Sequence, residues 1–400
     1  MRHGDGTRWD GVAFGLALAV LATFQQYKLP PLLPVLLQRY GYDPVLAGGF
    51  MSVYALVGLV MSVHAGRALE RSGFRLVQAA CAAFALGSAL TLAAPESGAV
   101  VLAARAIEGL GYAVLAIAGP ALANRSAGPA QLAFVAGVAA TWVPVGQLIA
   151  NAITLPAADS GAWRVPWAVA TVVPIAIALW ARRMAARGHG FGAAAAAPVP
   201  LAREERRTLV LASLVFMAWS GQYIAFMSWL NTYLVGTLGL GGGAAVGAAS
   251  VAAFAVLVFN VAIGAAFRAG LPLGPAFVGS ILVEAGVWLV APHVMGGGGI
   301  ALLAVYGIAC GITPVCLFAM PALIVGRERV GSGAFGVLMR GRNLGVFAGP
   351  LLLPVLAGTT LGWDIVWPTF GALTLATGVG AFVLVRRLAM LKGGAQGTRR

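Results

Sequence analysis

Apolar residues fall along this chain in long runs, separated by short connectors rich in Arg, Gly, Asp and Pro. Twelve runs can be delimited: Gly11–Leu37, Val45–Arg67, Leu76–Ala94, Gly98–Asn124, Gln131–Leu155, Val165–Ala181, Thr208–Leu238, Ala244–Phe267, Gly274–Val290, Gly299–Val325, Gly333–Gly358 and Ile365–Val385. A helix needs about 20 apolar residues to cross a bilayer core, and the runs are of that length. None shows the short, alternating segments of a membrane barrel. With no water in hydrocarbon to satisfy backbone groups, continuous helices are the remaining way across. The pattern predicts an all-α membrane protein with twelve transmembrane helices.

Composition agrees with this. Hydrophobic residues make up 60% of the chain and charged residues 10%, against about 25% charged in a soluble domain. The distribution of charge then fixes an orientation. Of the 26 Lys and Arg residues, Arg39 and Arg164 alone fall on outer connectors, Lys28, Arg105, Arg340 and Arg342 lie within runs, and the other twenty sit on the inner side. By the positive-inside rule both termini are cytoplasmic, which suits a multi-pass protein of the plasma (inner) membrane. The formal net charge of +14 follows from that topology and from attraction to anionic lipid, so no nucleic-acid partner is implied. Cys81, Cys310 and Cys316 all lie within runs and form no disulfide framework. The first run is too long for a signal peptide and carries Gln25, Gln26 and Lys28, so it is read as retained.

Between Arg182 and Arg207 the sequence turns basic and rich in Gly, Ala and Pro, the composition of a flexible linker. This predicts two six-helix halves, residues 1–181 and 208–400, joined by a cytoplasmic segment 182–207. The halves echo each other: Gln26-Tyr27 and Gln222-Tyr223 lie at similar depths in their opening helices, and Ala133-Phe134 and Ala334-Phe335 open the fifth and eleventh runs. Internal repeats of this kind place a binding site between halves, near the membrane midplane.

The connector Gly66-Arg-Ala-Leu-Glu70-Arg71-Ser-Gly73-Phe74-Arg75 resembles the Gly-x-x-x-Asp-Arg-x-Gly-Arg-Arg/Lys signature of the major facilitator superfamily, with Glu70 for Asp and Phe74 for one basic residue. Arg105-Ala-Ile-Glu108-Gly109-Leu-Gly111 is similar to the family's Arg-x-x-Gln-Gly-x-Gly, with Glu108 where Gln is usual. Gly264 and Arg268 keep a remnant of the first signature in the second half. The resemblance covers essentially the whole chain. It implies twelve helices in two pseudo-symmetric six-helix bundles, working by alternating access, with Gly66, Glu70, Arg71, Gly73 and Arg75 gating the cytoplasmic side. Trp229-Leu-Asn231-Thr-Tyr233-Leu is similar to a Trp-Leu-Pro-Thr stretch of the cyanate and nitroimidazole permease branch. Gly345-x-x-x-Gly349-Pro350 resembles an antiporter motif but lies in the wrong half for that use, and small residues four apart read better as close helix packing.

Charges at membrane depth are costly and each asks for a reason. Lys28 is expected to face the central cavity as a cation for an anionic group. Snorkelling to the interface or pairing with a membrane acid are the alternatives, and Pro30, Pro31 and Pro34 allow a kink that exposes carbonyls. Arg342, beside Asn343, is the second expected anion ligand, because a guanidinium holds an oxyanion through paired hydrogen bonds. Arg340 lies about 200° around the same helix and should point elsewhere. Arg105 and Glu108, three apart, share a helical face; they either neutralise each other or, as the resemblance implies, serve proton coupling. Glu284 is a second candidate proton site, read chiefly as a structural polar residue. Gln222, Phe226, Trp229 and Tyr233 form one stripe of the seventh run. Gln26, Tyr27, Trp142, Tyr223 and Tyr306 complete the expected substrate contacts.

No His/Cys cluster has metal spacing, no phosphate loop with its Lys is present, and no nucleophile motif stands out. No cofactor, no metal and no enzymatic activity are expected. The sequence predicts a monomeric secondary transporter in the bilayer, a proton-coupled symporter of a small organic or inorganic anion. A proton-coupled exporter of amphipathic drugs is the alternative, and a polytopic membrane enzyme the reading from a different class.

Overall fold

The computed structural model describes residues 6–191, 201–295, 299–326 and 332–397. Every regular element among them is helical: α1 (Trp9–Tyr27), a 3-10 turn (Pro30–Leu32), α2 (Leu33–Tyr40), α3 (Pro44–Ser72), α4 (Phe74–Ala93), α5 (Gly98–Ser126), α6 (Leu132–Ala139), α7 (Trp142–Ser160), α8 (Arg164–Ala186), α9 (Arg203–Gly236), α10 (Gly242–Arg268), α11 (Leu273–Val294), α12 (Gly299–Val325), α13 (Ser332–Ala357) and α14 (Trp363–Gly397). Among the described residues, ten helical stretches are long and apolar enough to cross a membrane, the first of them running from Trp9 through the 3-10 turn to Tyr40. Of the expected linker, residues 192–200 lie outside the described residues.

Two runs expected to be continuous are broken, each at proline. Proline lacks an N–H and its ring crowds the carbonyl four residues back. Pro30 and Pro31 interrupt the first run, which resumes as α2 after a 3-10 turn. Pro144 separates α6 from α7, since the carbonyl of Ala140 can receive no bond from it; Thr141 Oγ1 instead donates to the Val138 carbonyl at 2.7 Å. Asp43 caps α3 by accepting from the amides of Val45 and Leu46, satisfying two of the donors a helix start leaves open. Gly73 joins α3 to α4 with φ +53°, a conformation that favours glycine.

Contacts divide the chain into two compact units, one of Met1–Ala194 with Ser228–Ala253, the other of Ala195–Met227 with Phe254–Arg400. In the first unit α5 is the hub, packed along α1, α3 and α4. Its approach to α1 depends on Gly119, where a Cβ would sit 2.7 Å from the Ala19 amide nitrogen. Ser228–Ala253 belong with this unit through contacts such as Asn151 Nδ2 donating to Ser250 Oγ at 3.0 Å. In the second unit α11 packs on α12 and α14, and α13 crosses α9 along Gly341, Gly345 and Gly349. A Cβ on these three would meet the carbonyl oxygens of Ser213, Met217 and Gly221 at 1.9, 2.0 and 2.1 Å. The glycine motif of the eleventh run is a helix crossing, as its spacing suggested.

Candidate functional site

In the first unit a buried charge cluster forms where α1 ends. Lys28 follows the last residue of α1, and its ammonium donates to Gln25 Oε1, Ser88 Oγ and Glu108 Oε1, each at 2.6 Å. Three protons meet three acceptors. The Trp167 ring lies 5.1 Å from the same nitrogen, within cation–π range. Arg105 is held from several sides: Nε donates to the Phe50 carbonyl (3.0 Å), Nη1 to the Gln25 carbonyl (2.9 Å) and Glu108 Oε2 (2.7 Å), and Nη2 to the Gln26 carbonyl (3.1 Å). The Gln26 carbonyl is available because its partner along the helix would be Pro30, which has no N–H. Glu108 accepts from Lys28 and Ser88 on one oxygen and from Arg105 and Tyr54 on the other. Gly87 of α4 makes room for it, since a Cβ there would lie 2.5 Å from Glu108 Cγ.

Lys28, Arg105 and Glu108 are all 0% exposed. Two cations therefore share one carboxylate in a buried site. Such a pairing offsets the desolvation of ions only with good geometry and further hydrogen bonds; here both carboxylate oxygens accept two bonds each and all three ammonium protons have acceptors.

The second unit holds a polar cluster of different character. Gln222 of α9 donates through Nε2 to Glu284 Oε2 at 2.6 Å, while its Oε1 accepts from Trp288 Nε1 (2.6 Å) and Tyr306 Oη (2.8 Å). Glu284 Oε1 accepts from Trp219 Nε1 (3.1 Å) and Thr313 Oγ1 (2.8 Å). Phe226 stacks on Tyr306 with centroids 4.0 Å apart and meets Trp288 edge-on. Among the described residues no Lys, Arg or His forms an ion pair with Glu284.

Lys28 is thus not the water-facing free cation expected from the sequence; it pairs with a membrane acid, because Glu108 and two further acceptors lie within its reach. Arg105 and Glu108 are joined at 2.7 Å across one turn. Arg342 is half-buried and donates to Asn343 Oδ1 at 3.2 Å, whereas Arg340 is exposed. Gln26 contributes its carbonyl to Arg105, Tyr27 is buried beside it, and Trp142 lies near the Tyr112 ring (6.2 Å). Tyr223 stacks on Trp219, and Trp229 is buried in the segment grouped with the first unit. Of the connector signature, Gly73 makes the α3–α4 turn and Arg71 and Arg75 are exposed; the side chains at Gly66 and Glu70 lie outside the described residues.

Sequence reasoning did not single out Tyr54, Ser88, Trp167, Trp219, Trp288 or Thr313. A polar atom in an apolar run was their only signal. Among the described residues, no group of three or more His, Cys, Asp or Glu is placed to hold a metal.

A search of curated proteins finds no match to this chain. Among solved structures, "Crystal structure of D-xylose-proton symporter" is similar at a TM-score of 0.74 and 14% identity, covering 94% of this chain and 98% of that one. Identity that low speaks for the fold alone. The family profile of the Major Facilitator Superfamily matches residues 15–339. With its helices, its signature turn and that match in agreement, the chain belongs to the Major Facilitator Superfamily, as a multi-pass membrane protein.

Proposed function

We propose that this secondary transporter carries a small organic or inorganic anion together with a proton. The observation behind the reading is Glu108 held between Lys28 and Arg105, with all three fully buried. An anion that reaches Lys28 competes with Glu108 for the ammonium. A proton that reaches Glu108 competes with Lys28 for the carboxylate. Each event makes the other easier, and by linkage the favour is equal in both directions. Binding of anion and proton together keeps the charge of the site unchanged, which is the condition for moving both through a low-dielectric interior. Arg342, whose guanidinium donates to Asn343 Oδ1, is a separate candidate contact to the solute. The family's transport role supports this reading over an enzymatic one.

Purified protein in liposomes tests it. A monoanion carried with one proton accumulates about tenfold per unit of pH gradient, since 1.4 kcal/mol is tenfold in concentration. A panel of small carboxylates and inorganic anions should include one that accumulates with the outside acidic and stops when the gradient is collapsed. Proton-driven efflux of amphipathic cations, with no anion carried, would favour the exporter instead.

Arg342 gives a separate prediction. Arg342→Gln should weaken solute binding about 10- to 100-fold, the equivalent of ~1.5–3 kcal/mol for a hydrogen bond to a charged group. Arg340→Gln, at an exposed position, should leave binding unchanged. Isothermal titration with the solute identified above reads both, and equal affinities in the two variants would remove Arg342 from the site.

A further inference from the structure

The Glu284 cluster is not used by the coupling scheme above, and its hydrogen bonds have a definite logic. An indole N–H can only donate. Trp288 Nε1 points at the Gln222 amide, so that corner must be the amide oxygen and the other corner, facing Glu284 Oε2, must be the NH2. Glu284 Oε2 is therefore fixed as an acceptor. At Oε1 the two partners differ. Trp219 is again an obligatory donor, but Thr313 is a hydroxyl, able to give or receive. Its own hydrogen has a second destination, the Ala309 carbonyl at 3.3 Å, and its oxygen lies 2.8 Å from Ser280 Oγ.

We propose that Glu284 is a proton-binding site in its own right, distinct from Glu108, and that its proton sits on Oε1 facing Thr313. A proton from the medium adds to Oε1, the Thr313 hydroxyl turns its hydrogen to Ala309, and its oxygen accepts from the new O–H. No other bond in the cluster changes. Gln222 stays pinned by Trp288 and Tyr306, and Trp219 still donates. The carboxylate is 0% exposed. Isolated ionised carboxylates are expensive to bury, and here the proton does what Lys28 and Arg105 do for Glu108.

The groups facing Glu284 support this assignment. From α9 they are Trp219 and Gln222, with Tyr223 stacked on the indole; from α12 they are Thr313, Tyr306 and Cys310, the last hydrogen-bonded to the same carboxylate; from α11 itself, Ser280 and Trp288. The titratable ones, Tyr223, Tyr306 and Cys310, carry no positive charge in either state. Protonation on α11 is thereby felt at α12 through Thr313 and at α9 through the charge opposite Gln222. Only that last step, a bearing on transport, depends on the transporter reading.

Infrared difference spectroscopy of the full-length protein in lipid, taken on acidification, tests the site without requiring any flux. A carbonyl band of a buried carboxylic acid should appear in the unaltered protein and in Glu108→Gln, and be lost in Glu284→Gln. Thr313→Val, which keeps the carboxyl and its volume but removes the acceptor, should displace the band. The second variant matters because Glu284→Gln sets an NH2 against either Gln222 or Trp219 and is open to misfolding. A band that survives Glu284→Gln and disappears in Glu108→Gln overturns the proposal. So does the absence of any band on acidification, or one that Thr313→Val leaves in place. Failure to find transport in liposomes would count against the transporter reading alone.

Discussion

Glu108→Leu is expected to be among the most damaging substitutions this protein can carry, and Lys28→Met far milder, although the two residues form one ion pair. Removing the carboxylate leaves Lys28 and Arg105 buried with no counter-charge, and breaking a buried pair in this way costs roughly 3–5 kcal/mol. Removing Lys28 leaves the one-to-one pair of Arg105 and Glu108, with the carboxylate still accepting from Tyr54 and Ser88 and the guanidinium still donating to three backbone carbonyls. Adding Lys28→Met to Glu108→Leu should therefore recover part of the lost stability, because Arg105 keeps those carbonyls. Thermal unfolding of the purified protein in detergent, with the two single variants and the double compared, reads the asymmetry. Equal losses for Lys28→Met and Glu108→Leu would mean that the carboxylate is not shared as described.

The second large effect lies at the crossing of α9 and α13. Gly345→Leu would force a side chain into the Met217 carbonyl, which a Cβ alone would approach to 2.0 Å. Overpacking a core commonly costs ~1–3 kcal/mol. Here the obstacle is backbone, which cannot rotate aside, so the cost should reach or exceed the top of that range. Loss of folded, monodisperse protein on size-exclusion chromatography is the expected result. Gly336 on the same helix has nothing within 4 Å of its would-be Cβ. Gly336→Ala should therefore be tolerated and gain up to ~1 kcal/mol of helix propensity. If both variants fold equally well, the crossing is not as close as it is drawn.

Much of the fold was legible because bilayer thickness imposes one length on every spanning helix. The breaks were less so. Pro30, Pro31 and Pro34 announced a kink, but Pro144 was read as part of a continuous run and separates two helices. The charges Lys28, Arg105 and Glu108 stood out because few residues are so costly in lipid. Their arrangement did not, apart from the pair three residues apart on α5. Lys28 and Glu108 are 80 positions apart, and no periodicity within either run records that they meet. Tyr54, Ser88 and Trp167 were hidden for the same reason. Glu284 was visible as a charge, while its donors are indoles and a threonine, which pass for ordinary lipid-span residues until the helices are brought together.

The separation of Lys28 from its carboxylate also bears on how the protein is made. The helix that ends just before Lys28 leaves the ribosome well before Glu108 exists, and at about 5–20 residues per second the 80 residues from Leu29 to Glu108 take roughly 4–16 s to synthesise. Throughout that interval the ammonium lacks the Glu108 carboxylate and the Gln26 carbonyl lacks the Arg105 guanidinium. The contacts that fix the end of the first helix can therefore close only once α5 has been made, so the chain's own downstream sequence completes its packing.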